Sequence, residues 1–123
     1  MEKHTYKTGI IGNCAYLAHV NLDTNISWLC WPKFDSSFVF GNMLDEEMGG
    51  TFSIKPQGEF KSEQYYLENT NILCTEVTTT AGKYRITDLA PRFKEYDRYY
   101  KPLMLIRKIE LLEGDVYIKV CCK

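Results

Sequence analysis

The sequence of 123 residues has almost no net charge, little histidine and no long apolar run. A formal charge of -1 gives no electrostatic pull toward nucleic acid or acidic membranes, so neither is expected as a partner. No apolar stretch approaches the ~20 residues that span a bilayer. Met1-Glu2-Lys3-His4-Thr5 has no apolar signal core behind a basic start. The five cysteines, at positions 14, 30, 74, 121 and 122, include no pair with the two-residue gap of zinc knuckles or redox motifs. His4 and His19 complete the soft ligands, and His19 sits in an alternating segment that reads as a strand. No metal and no cofactor are expected. Reduced thiols without a signal peptide point to the cytoplasm. A Cys14–Cys30 disulfide would require their strands to pair.

Strong amphipathic helix periodicity is absent as well. What is present is 45% hydrophobic and 25% charged residues, the balance of a single globular domain with a modest core. Short apolar segments alternate with Gly, Pro and Asn turns. Thr8–Gly12 reads as a strand. In Cys14–Val20 both parities are mostly apolar, as in a strand covered on two faces. Asn21–Asn25 has turn chemistry, and Ile26–Trp31 returns as a hairpin partner that Pro32 stops. Ser36-Ser37 ahead of Phe38, Val39, Phe40, Met43 and Leu44 predicts a short helical turn, which Gly41 weakens.

Gly49-Gly50 is a turn, Thr51–Ile54 a short strand and Gln57–Lys61 a polar loop. Strands follow at Gln64–Leu67, Ile72–Thr80 and Tyr84–Leu89, the last two joined by Ala81-Gly82-Lys83 as a hairpin. Arg92–Lys101 shows no period and reads as a long loop. Leu103–Leu112 and Val116–Cys122 close the chain as strands. The fold class expected is an all-β antiparallel sandwich with little helix.

The stretch from Ile11 to Phe52 is the most unusual. Both tryptophans lie in it, and an apolar run breaks at Pro32 into a loop carrying Lys33, Phe34 and Asp35. Such a loop could edge a ligand site or seat one domain on another. Trp28 is expected in the core. For Trp31 and Phe34, core packing competes with sugar stacking or an interface. Asp35 is the best carboxylate for contact with a ligand or partner, against a turn residue capping Ser36-Ser37. Asp45-Glu46-Glu47 reads as a solvated charge run and Asp88 as a structural acceptor. Neither histidine has a Ser or Cys partner in a nucleophile–base pattern, and no catalytic residue is assigned. Tyr96, Tyr99 and Tyr100, interleaved with Lys94, Arg98 and Lys101, could form a binding platform, but the near-zero charge favours a solvated loop.

Five motifs in order resemble the N-terminal domain of glycoside hydrolase family fifteen, the family of bacterial and archaeal glucoamylases, glucodextranases and trehalases. They are Ile11-Gly12-Asn13-Cys14, then Trp28-Leu29-Cys30-x-Pro32-x-Phe34-Asp35-Ser36, Leu44-Asp45, Gly49-Gly50 and Thr87-Asp88-Leu89-x-Pro91. Where the family has Leu-Pro-Arg, this sequence has Trp31-Pro32-Lys33, which keeps the charge and loses the planar guanidinium fork. The resemblance implies a large N-terminal β-sandwich, a linker and an (α/α)6 barrel whose two glutamates hydrolyse α-glucosidic bonds with inversion. Residues 1–123 would be the first part of that larger sandwich, without the barrel and with its partner strands beyond residue 123.

Three readings follow. The first is a non-catalytic N-terminal domain of a glucoamylase- or trehalase-like hydrolase, packing on its own downstream barrel, with Trp31, Lys33, Phe34 and Asp35 at the substrate or domain interface. The second is a free-standing module that binds α-glucoside oligosaccharides. The third is an assembly domain that self-associates through an open edge strand, for which the long apolar segment ending at Cys122 is the natural choice.

Overall fold

The computed structural model describes residues 7–123, so His4 lies outside the described residues. It contains twelve strands: β1 (Thr8–Gly12), β2 (Leu17–Asn21), β3 (Ile26–Cys30), β4 (Phe38–Phe40), β5 (Phe52–Pro56), β6 (Lys61–Tyr66), β7 (Leu73–Thr78), β8 (Gly82–Leu89), β9 (Phe93–Glu95), β10 (Arg98–Tyr100), β11 (Ile106–Gly114) and β12 (Ile118–Cys122). Every pairing is antiparallel. The sheets run β1-β2-β3-β4 and β11-β8-β7-β6, with a β5–β12 ribbon and a β9–β10 hairpin beside them. The fold is the expected all-β sandwich. Among the described residues no helix is long and apolar enough to cross a membrane.

Two apolar clusters hold the layers together. One joins the β1–β4 sheet to the end of the other through Ile11, Tyr16, Ala18, Val20, Leu29 and Leu73. The second packs Val77, Tyr84 and Ile86 against Ile54, Val116 and Ile118 of the ribbon side. Removing such side chains from water is the main favourable term in folding, at roughly 25 cal/mol per Å² of apolar surface. Both central tyrosines pay their hydroxyl cost with a backbone acceptor. Tyr84 donates to the Ile54 carbonyl at 3.0 Å and Tyr16 to the Met104 carbonyl. Burial pushes each phenol up to about 12.

A buried polar pin crosses between the layers. Arg107 on β11 pairs with Asp88 on β8 at 2.7 and 3.3 Å, and its Nη1 and Nη2 also donate to the carbonyls of Phe52 and Thr24. The Thr24 hydroxyl in turn donates to the Ile54 carbonyl at 2.8 Å and accepts from the Ile54 N–H at 2.9 Å. One guanidinium therefore ties the β2–β3 turn, the start of β5 and β8 together. Asp88 is the structural acceptor that its place ahead of Pro91 suggested.

Several expectations are corrected. Ser36-Ser37 caps no helical turn: Phe38–Phe40 is β4, paired with β3, and the chain turns only after it, where the Gly41 carbonyl accepts from the Leu44 and Asp45 N–H groups. Gly41 follows the strand directly, where a side chain would meet the Phe38 ring. Arg92–Lys101 is not a loop but the β9–β10 hairpin, turning at Tyr96-Asp97 with Tyr96 at φ 56°. Trp28 is half-buried on the outer face against Phe38, 6.1 Å between ring centroids, and not in the core. The cause is a bulge: His19 pairs with Trp28 but Val20 with Ile26, so Ser27 is extra and the parity flips there. Cys14 is an exposed turn residue at φ 71°, β2 begins only at Leu17, and Cys14 and Cys30 are free thiols.

Candidate functional site

Three segments converge at one end of the sandwich: the β1–β2 turn, the loop after β3 and the chain from Pro91 to Met104. Asn13 is the knot. Its Oδ1 accepts from the N–H groups of Ala15 and Tyr16, which shapes the turn. Its Nδ2 donates to the carbonyls of Pro91 and Pro102, each at 3.1 Å. Those carbonyls flank the β9–β10 hairpin, so one buried amide clamps the hairpin at its base.

Trp31 anchors the second segment. It is half-buried and meets the Tyr16 ring edge-on, 5.5 Å between centroids. Its Nε1 donor is buried with no acceptor among the described residues. After the cis Trp31–Pro32 bond the loop closes on itself: Lys33 N–H donates to Ser36 Oγ at 3.1 Å and Ser36 N–H to the Lys33 carbonyl at 3.2 Å. Ser36, and not Asp35, does the capping. Lys33, Phe34 and Asp35 are left facing solvent, with Phe34 54% exposed. The four residues singled out in the sequence thus divide into one anchor and three exposed tip residues.

The hairpin brings further aromatics to this end. The Arg92 guanidinium lies 4.6 Å from the Tyr99 ring centroid, and its Nη1 donates to Cys14 Sγ at 3.4 Å. Phe93 and Tyr100 pack edge-on at 5.2 Å while remaining exposed. An aromatic ring beside a cation and a pair of exposed rings offer the apolar surface and polar handles that sugars and protein interfaces both use. Sequence reading missed Asn13 and Arg92. Asn13 stood in the first motif, but its two partners lie 78 and 89 residues away.

The carboxylates singled out in the sequence sit in separate settings. Asp88 is fully buried against Arg107; burial raises its carboxyl, and the guanidinium opposes that shift. Asp45 accepts from the N–H groups of Met48 and Glu47, both at 2.9 Å, which holds it below the usual carboxylate range. Asp35 is exposed on its own loop. Among the described residues no three His, Cys, Asp or Glu side chains are grouped to hold a metal ion. His19 sits across from Trp28 and Ile10 on the outer sheet face, where burial lowers its pKa.

Comparison with known proteins places this architecture in context. A family model described as "Trehalase-like, N-terminal" matches residues 3–108. Curated relatives include Trehalase 1 of Sulfolobus acidocaldarius, 44% identical over 84 residues, covering 68% of this chain and 14% of the relative. A trehalase of Thermoplasma volcanium is 40% identical over 87 residues, 68% of this chain and 14% of its own. A trehalase of Thermoplasma acidophilum is 44% identical over 99 residues, 77% of this chain and 16% of its own. The chain therefore spans less than a fifth of the length of these relatives. No solved structure matches. The match over residues 3–108, agreeing with the ordered motifs, shows that the chain belongs to the trehalase-like N-terminal domain family.

Proposed function

We propose that this chain is the non-catalytic N-terminal β-sandwich of an α-glucoside hydrolase, of the trehalase kind rather than the glucoamylase kind, and that it works in the cytoplasm. It would seat on the catalytic (α/α)6 barrel of its own polypeptide, with Lys33, Phe34 and Asp35 at the rim of the barrel's cleft. The relatives' printed names favour trehalose over longer α-glucosides. The observation that carries the reading is the clamped end of the sandwich. There Trp31 fixes a loop whose charged and aromatic tip has no contact duty within the sandwich core.

The test is direct. The isolated chain, incubated with trehalose, maltose and dextrin, is expected to release no glucose. Clear turnover contradicts the proposal. A second reading, a free-standing carbohydrate-binding module, draws on Phe34 and the Arg92–Tyr99 stack. Titrating trehalose and malto-oligosaccharides while following tryptophan fluorescence separates the two. A saturable change favours the module, and a flat response favours the docking domain.

A further inference from the structure

The ten residues between Pro91 and Pro102 are unlike the rest of the chain, because every one of them is aromatic or charged. All ten are exposed, and the β9–β10 hairpin they form adds no side chain to either core cluster of the described residues. Tyr96 at its turn is 93% exposed. Two strands of three residues each hold little order of their own in water. Yet this hairpin is pinned. The buried Asn13 amide donates to the carbonyls of both bracketing prolines. The Arg92 guanidinium is braced between the Tyr99 ring and Cys14 Sγ, and Phe93 and Tyr100 close the stem edge-on. A hairpin that gives the core nothing but is anchored at both ends is suited to presenting its side chains. Ordering it beforehand lowers the entropy cost of binding.

The composition indicates the kind of partner. Tyrosine and arginine are enriched at the energetic centres of protein interfaces. Four cations against two carboxylates give the segment a charge of +2, while the whole chain carries -1. A complementary surface therefore combines apolar hollows with an excess of carboxylates. A second copy of the hairpin brings the same positive excess and does not fit. The chain spans less than a fifth of the length of its trehalase relatives, so in those proteins most of the polypeptide is available to supply such a surface. The hairpin also stands at the same end as the Trp31–Ser36 loop, since the Asn13–Tyr16 turn touches both.

We propose that the segment from Arg92 to Lys101 is a preformed docking arm for the catalytic barrel of the same polypeptide, an assignment that rests on the docking-domain reading above and extends the contact from the tip loop to the hairpin. Its rings fill apolar hollows on the barrel, and Lys94, Arg98 and Lys101 meet carboxylates there.

Tyrosine nitration by tetranitromethane, read by peptide mass spectrometry, tests this. It compares the isolated chain with a chimera in which the chain replaces the matching segment of Sulfolobus acidocaldarius Trehalase 1. In the isolated chain Tyr96, Tyr99 and Tyr100 should nitrate readily. In the folded chimera they should lose most of that reactivity, measured against N-acetyltyrosinamide in the same tube. Carbodiimide cross-links from Lys94 and Lys101 of the chimera should land on carboxylates of the helical barrel, and Lys94→Glu/Lys101→Glu should return the nitration. Hairpin tyrosines that nitrate as fast in the folded chimera as in the isolated chain overturn the proposal. So do cross-links confined to the sandwich, or a folded double variant that stays protected. Should no chimera fold, heteronuclear NOE values of the isolated chain decide: Phe93–Tyr100 should be as rigid as β7 and β8, and values of a loose loop overturn the preformed arm. Activity keeps the two readings apart. A protected hairpin in a chimera indifferent to changes at Phe34 and Asp35 removes the cleft rim and leaves the arm. A tip-sensitive chimera with a freely nitrated hairpin does the reverse.

Discussion

Arg107 and Asp88 set the energetic weight of single residues here. Both side chains are almost wholly removed from solvent, and the guanidinium satisfies two backbone carbonyls besides the carboxylate. Breaking a buried pair from one side leaves an uncompensated charge, whereas replacing both partners with apolar groups is much milder. Arg107→Met is therefore expected to lower stability by about 3–5 kcal/mol in urea unfolding. The double variant Arg107→Met/Asp88→Leu should regain most of it, and equal losses in both variants would contradict this account. Arg107 was hard to single out in the sequence, because Arg107 and Lys108 stand side by side in one apolar segment. Only parity with Ile109 and Leu111 marks Arg107 as the inward one. His19 gives a pH dependence of definite sign. Burial lowers its folded pKa below 6.5, so the unfolded chain takes up the proton first as pH falls. Its contribution is fully present above 6.5 and is lost as pH drops toward the folded value. Stability measured through that window should decline for the parent, and His19→Gln should flatten the decline. An unchanged slope would place the titration elsewhere.

The elements show where a sequence discloses a fold and where it does not. β1, the β2–β3 turn and the β7–β8 hairpin were legible, because short alternating segments lay between residues with strong turn chemistry. β4 was misread, since its Ser-Ser lead and spaced apolar residues imitate a capped helix, while pairing to β3 decided the outcome. The β9–β10 hairpin escaped notice because its turn is Tyr96-Asp97, without glycine or asparagine, and its strands are too short and too exposed to alternate. What holds that hairpin in place is Asn13, far away in sequence. Replacing Asn13 by Ala leaves buried backbone groups unpaired, at about 1–3 kcal/mol for each one that water cannot reach. The Asn13→Ala variant should therefore unfold at lower urea. Its amide exchange should also rise most between Phe93 and Tyr100. Uniform loss of protection across the sandwich would mean that Asn13 stabilises the whole fold and does not clamp the hairpin.

At the scale of the molecule, the sandwich gathers its clamped loop, turn and hairpin at one end. Trp31, Asn13 and the hairpin fix that end. The tip residues Lys33, Phe34 and Asp35 were legible as an exposed loop because Pro32 breaks the apolar run just before them. Their surroundings were not, because the β1–β2 turn and the hairpin reach that end only through the fold. If the tip rims a cleft on a catalytic barrel, changing it should alter catalysis while leaving the sandwich stable, since exposed positions usually shift stability by less than about 0.5 kcal/mol. The most direct measurement uses a chimera: the matching N-terminal segment of Sulfolobus acidocaldarius Trehalase 1 replaced by this chain, assayed for glucose release from trehalose. The account predicts that the chimera hydrolyses trehalose, and that Phe34→Ala and Asp35→Ala within it lower kcat/KM by about tenfold, roughly 1.4 kcal/mol of lost transition-state stabilisation. A folded chimera without activity, or one indifferent to both substitutions, would contradict it.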